Sequence, residues 1–79
     1  MKISDRSDLV NLQVNQKAKV SYIHTKDHKK LQKLMAMGVL PGMPIALIQK
    51  FPSYVFQIQE SQFAVDKRLA SAIYVRLTK

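Results

Sequence analysis

Both glycines of this 79-residue chain, and two of its three prolines, fall within the seven residues Gly38 to Pro44. Glycine enters left-handed backbone without steric cost, and proline stops a helix. The chain therefore reverses direction here more readily than anywhere else along its length. Gly38 is placed to be the left-handed residue that ends a helix, with Val39 folding back onto Leu34 as in a Schellman motif. Leu40-Pro41-Gly42-Met43 then suits a type II turn, in which Pro41 presets φ and Gly42 supplies the positive value. Pro44 pushes Met43 toward an extended conformation. The segment predicts a rigid, bent exit from a helix into a strand.

The residues on either side agree with that hinge. Upstream, Leu9 and Leu12 are spaced for one short helical turn that docks the leader, and Asn15 suits a turn because asparagine tolerates positive φ. Lys17 to Ile23 alternates, with Ala18, Val20 and Tyr22 on the inward face of a half-buried strand. Thr25 to Asp27 offers an N-cap for a helix ending near Met37, with Leu31, Leu34 and Met35 as its apolar stripe and Lys26, Lys29, Lys30 and Lys33 as a basic outer face. Downstream, Ile45 to Phe51 predicts a strand buried on both faces. Tyr54 to Gln59 follows with Tyr54, Phe56 and Ile58 inward, and Gln62 to Val65 with Phe63 and Val65 inward. Asp66 caps a short helical turn, and Ile73 to Leu77 forms the last strand. The pattern is mainly β: about five strands, one early α-helix and a short helical turn before the last strand. So many short strands in so few residues point to a small barrel, because closure removes sheet edges.

Length and composition narrow the classes. Residues 1–79 are expected to form one domain around one core, burying only ~60% of the unfolded chain's surface. With no cysteine, disulfides, thiolate zinc sites and cysteine nucleophiles are excluded. Tight apolar packing must do the work, and a 47% hydrophobic content permits it. Asp5, Arg6 and Asp8 stand where an apolar targeting segment would need to be. The stretch Met35 to Leu40 is far short of the ~20 residues that span a bilayer, so no membrane insertion and a cytoplasmic location are expected. The net charge of +8 admits nucleic acid, an anionic membrane surface or an acidic protein as partner.

The segment from Leu31 to Ile45, with Gly38, the aliphatic pair Val39-Leu40 and Pro41-Gly42, resembles the hallmark of FeoA domains. Phe63-Ala64-Val65, Ala70 and Ile73-Tyr74-Val75 are similar to that family's closing strand, short helix and final strand, and Leu9 to Val20 to its leader. The resemblance covers most of the chain. It implies an SH3-like β-barrel and a role in ferrous iron transport from the cytoplasm, beside FeoB, the membrane transporter for ferrous iron that carries a GTPase domain. The sequence departs from the family pattern at Asn15 and Glu60, where glycine is frequent, and at Asp66, where a basic residue is common. A similar barrel is appended to iron-dependent repressors, whose DNA-binding and metal-binding domains have no counterpart in this sequence.

Candidate sites divide by chemistry. The acidic residues Asp5, Asp8, Asp27, Glu60 and Asp66 are scattered, and no paired carboxylates, Ser-His-Asp spacing or phosphate-cradling glycine loop is present. The expectation is a protein that is not an enzyme, with no cofactor and no small-molecule substrate. His24 and His28 lie four apart but lack a third ligand, so they are read as exposed polar residues at a strand-to-helix junction and no metal site is expected. Met37, Leu40 and Met43 are expected to form an apolar docking spot beside Lys29 and Lys33, the composition of a protein-binding surface. The alternative is a small basic barrel that binds RNA or DNA, with Phe51, Tyr54 and Phe56 beside Lys50 as a stacking platform. Against it, Tyr54 and Phe56 fall on the inward face.

Overall fold

A computed structural model describes residues 7–77. In chain order the elements are β1 (Ser7–Asp8), a 3-10 turn (Leu9–Asn11), β2 (Lys17–Ile23), α1 (His28–Ala36), β3 (Pro44–Gln49), β4 (Tyr54–Ile58), β5 (Ser61–Val65), α2 (Lys67–Ser71) and β6 (Ile73–Leu77). The strands form one antiparallel sheet in the order β1-β6-β2-β3-β4-β5. The sheet has six strands rather than about five. The additional one is the two-residue β1, which pairs Ser7 with Val75 and Asp8 with Tyr74 and is too short to show as a hydrophobic pattern. The architecture is the expected SH3-like, mainly β fold. No helix among the described residues is long and apolar enough to cross a membrane.

One apolar core is formed by strands, leader and helix together. Phe56, Leu47, Val20, Val75 and Ile73 line it from the strands, Leu9 and Leu12 from the leader, and Leu34 and Val39 from α1 and its exit, all essentially without solvent contact. Each helical segment starts on an aspartate. Asp8 accepts from the Asn11 backbone N–H, Asp27 from those of Lys29 and Lys30, and Asp66 from that of Leu69 at 2.8 Å. These caps satisfy donors that a helix cannot satisfy internally, so the carboxylates serve local structure.

Two bulges alter the simple alternation. On β2, Val20 faces Val75 and Tyr22 faces Tyr74, so Ser21 is one residue too many for β6. An inserted residue rotates everything after it by one position. Tyr22, expected inward, is consequently 40% exposed, while Ile23 turns in against the core. On β3 the extra residue is Ile48, between the pairs Leu47 with Phe56 and Gln49 with Val55. The strand expected to reach Phe51 ends at Gln49. Its burial on both faces is partial: Ile45 and Leu47 are buried, Ala46 and Ile48 half-buried.

The helix exit is as its glycines and prolines require. Gly38 has φ 95° and Gly42 φ 89°. The N–H of Gly38 donates to the Met35 carbonyl and that of Val39 to the Leu34 carbonyl, each at 3.0 Å, which is the Schellman pair. Met43 N–H closes the next turn on the Leu40 carbonyl. That turn is then fastened to the sheet: Gly42 N–H donates to the Val20 carbonyl at 2.7 Å, and Val20 N–H to the Met43 carbonyl at 2.9 Å. The apolar stripe of α1 is narrower than expected. Leu34 is fully buried and Leu31 half-buried, whereas Met35 is 46% exposed because it lies about 100° around the helix from Leu34.

Candidate functional site

Three surface features stand out, and the helix exit is the one the sequence marks. Leu40, at the first position of the Pro41-Gly42 turn, is 41% exposed on a segment held by bonds to both α1 and β2. A large aliphatic side chain presented on a rigid turn carries little ordering cost on binding. Met37 and Met43 flank it in sequence, and both are half-buried and packed against the core. Each therefore exposes only part of its own surface.

The lysines of α1 precede this point along the chain. At about 100° per residue, Met37 lies on the same flank of α1 as Lys30 and Lys33, whereas Leu31 and Met35 occupy the opposite flank with His28; Lys26 precedes the N-cap Asp27 and lies outside the helix. Met37 is the C-cap of α1, and its N–H donates to the Lys33 carbonyl at 3.2 Å. Lys33 stands one helical turn before Met37 on that flank. Lys29 is exposed but stands eight residues from Met37, about 12 Å of helix axis away, and marks the far rim of the patch.

His24 and His28 are both exposed. His24 is engaged elsewhere: its ring meets Tyr22 and Tyr74 edge-on, at centroid distances of 6.4 and 5.9 Å. Those tyrosines face each other across β2 and β6 and stack at 4.9 Å with an interplanar angle of 11°. Sequence alternation does not reveal this cluster, because the bulge at Ser21 is what turns Tyr22 outward to join Tyr74. Among the described residues, no group of three or more histidine, cysteine, aspartate or glutamate side chains is placed to hold a metal ion.

The rings expected to stack nucleic-acid bases do not form a platform. Phe56 is fully buried, and Tyr54 is half-buried against the core. Phe51 alone is free, at 85% exposure.

The third feature is an open groove of about 590 Å³ on the outer face of β2, β3 and β4. Lys17 and Lys19 form one wall, Gln57 the other, and Ala46 and Ile48 the floor. The sequence signal for it lies in Ala46 and Ile48, which alternate with the core residues of β3 but are apolar themselves.

The fold and its surface thus define a small SH3-like barrel that carries a rigid apolar turn, a lysine flank and an open groove. The sequence model of the FeoA domain matches residues 8–77, and the chain belongs to the FeoA domain family. Among solved structures, one described as an iron uptake regulatory protein (FeoA) shares 30% identity over 87% of this chain and 93% of its own, with a TM-score of 0.78. The zinc complex of FeoA from Stenotrophomonas maltophilia, described as a prokaryotic SH3 domain protein, aligns at 19% identity over 86% of this chain and 87% of its own, with a TM-score of 0.78. The IdeR protein of T. acidophilum matches in fold over 99% of this chain and 37% of its own length, at 18% identity and a TM-score of 0.86. Among curated proteins, none matches this sequence.

Proposed function

We propose that this protein is a cytoplasmic accessory component of ferrous iron uptake, which docks on a FeoB-type transporter and modulates its transport or its GTPase activity without holding iron or catalysing a reaction itself. Membership of the FeoA domain family supports the link to ferrous iron transport, as do the descriptions of its relatives: one as an iron uptake regulatory protein, another advanced as a ferrous iron transport activating factor.

The observation that carries the docking reading is Leu40. It is an exposed aliphatic side chain on a turn tied to Val20 and Leu34 through neighbouring backbone groups, near in sequence to the half-buried Met37 and Met43 and to the lysines of α1. An apolar centre inside a charged rim is the composition of a protein-binding surface. The basic flank also favours a partner at an anionic membrane face, since each well-placed lysine contributes about 1 kcal/mol of attraction there. Catalysis finds no support in the acidic residues, because Asp8, Asp27 and Asp66 are committed to helix starts.

Co-purification with the transporter, with and without guanine nucleotide, tests this reading. Retention of the wild type in at least one nucleotide state, with loss on Leu40→Asp, is the expected result. Failure to associate in every state would leave a small barrel with a different partner.

A further inference from the structure

The outer-face groove does not include Leu40, although Pro44 at the end of the exit lines it, and its chemistry is sorted by strand. Lys17 pairs with Ala46 and Lys19 with Pro44, while Ala46 pairs with Gln57 on its other side. Cations therefore stand along β2, aliphatic carbon along β3 and amides along β4. Arg76, opposite Lys19 on β6, extends the cationic row. The bulge residue Ile48 adds floor, and Asn15 closes one end, its left-handed backbone (φ 71°) fixed by an N–H bond of 2.6 Å to the Leu47 carbonyl. Gln57 is held in place, donating to the Gln59 carbonyl and accepting from Gln62.

Among the described residues, no acidic side chain lines this groove. Asp8, Asp27 and Asp66 cap helical starts, and Glu60 sits in the turn between β4 and β5. Among the described residues, the lysine wall thus faces the groove without a carboxylate in its lining. Lys17 and Lys19 are two residues apart on a strand, about 6.8 Å, which is also the repeat of alternate side chains in any extended chain.

We propose that this groove docks an extended acidic segment of a partner protein, with carboxylates at alternate positions on Lys17 and Lys19 and aliphatic side chains on Ala46 and Ile48. A second copy of this chain does not fit, because a +8 protein would set cation against cation there. Single-stranded nucleic acid matches the charge but not the floor, since none of the lining residues is aromatic and bases gain affinity by stacking. Tyr22, farther along β2 and outside the lining, is stacked on Tyr74 of β6.

The test is an amide NMR titration of the whole protein at low salt with three probes. The first is a capped heptapeptide with glycine ends, glutamates at its second, fourth and sixth positions and leucines between them. The others are the same peptide with lysine for glutamate, and a seven-nucleotide oligothymidylate. The glutamate peptide is expected to give saturable shifts at Lys17, Lys19, Ala46 and Ile48, and the lysine peptide none. The double variant Lys17→Glu, Lys19→Glu is expected to weaken binding about tenfold or more, and Lys29→Glu, Lys33→Glu by less than about twofold. Shifts confined to α1, equal losses in the two double variants, no shift at millimolar peptide, or tighter binding of the oligothymidylate in the groove would each overturn the proposal.

Discussion

The backbone N–H of Val39 donates to the carbonyl of Leu34 at 3.0 Å, and both side chains are fully buried. This bond spans Gly38 and closes α1, so the end of the helix and the start of the exit are one piece of structure. Everything beyond it inherits that fixed direction, including Leu40 and the turn bonded to Val20.

Gly38 should not tolerate a side chain. A Cβ there would meet Ile58 at 3.5 Å, an ordinary contact, so space is available. The cost arises from the backbone: φ of 95° is unfavourable for an L-residue by about 1–2 kcal/mol. Urea denaturation of Gly38→Ala should show a loss of that size. Gly42→Ala, at φ 89° with nothing within 4 Å, should lose a similar amount from strain alone. An unchanged midpoint in both would mean that the exit relaxes without them.

Asp27 caps α1 through two backbone N–H groups, at 2.9 and 3.4 Å. Asp27→Ala should destabilise the protein by about 1 kcal/mol, and Asp27→Asn by less, because asparagine retains the acceptor oxygen. Amide hydrogen exchange in the first turn of α1 reports this directly: Lys29 and Lys30 should lose protection in the alanine variant first.

Tyr22 and Tyr74 form a cross-strand stacked pair on a solvated face. A double-mutant cycle with Tyr22→Ala and Tyr74→Ala should return a coupling of about 0.5–1.5 kcal/mol. The same cycle run with His24→Ala and Tyr74→Ala should give a smaller value, since the centroids are 5.9 Å apart and His24 is exposed.

Leu40 and Met43 should separate function from stability. Leu40→Asp replaces an exposed side chain, so its denaturation midpoint should stay within about 0.5 kcal/mol of wild type while support of ferrous iron uptake is lost. Met43→Asp places a charge against the core and should cost several times more. Uptake that persists with Leu40→Asp would remove the exit from the docking surface.

Elements set by neighbours along the chain are legible in the amino-acid sequence alone. The positive φ of Asn15, Gly38 and Gly42, the caps at Asp27 and Asp66, the Schellman bond to Leu34 and the inward faces of β4 and β6 all follow from local sterics and period-two alternation. Each depends on residues within about six positions, so the chain states them by itself. The FeoA domain family is legible for the same reason, because its hallmark is the exit from Leu31 to Ile45.

What the tertiary structure decided depends on strands distant in sequence. Ser21 and Ile48 become bulges only because β6 and β4 offer one residue fewer opposite them. Those two insertions turn Tyr22 outward against Tyr74 and help shape the groove over Ala46. β1 exists only because β6 lies beside it, and Met35 is exposed because the core meets α1 on the face centred on Leu34, the helix residue that is fully buried. The rigid exit at Gly38 to Pro44 was written in the sequence. That Leu40 projects from it while Met37 and Met43 sink toward the core was settled by its two bonds to Val20, a residue some twenty positions upstream.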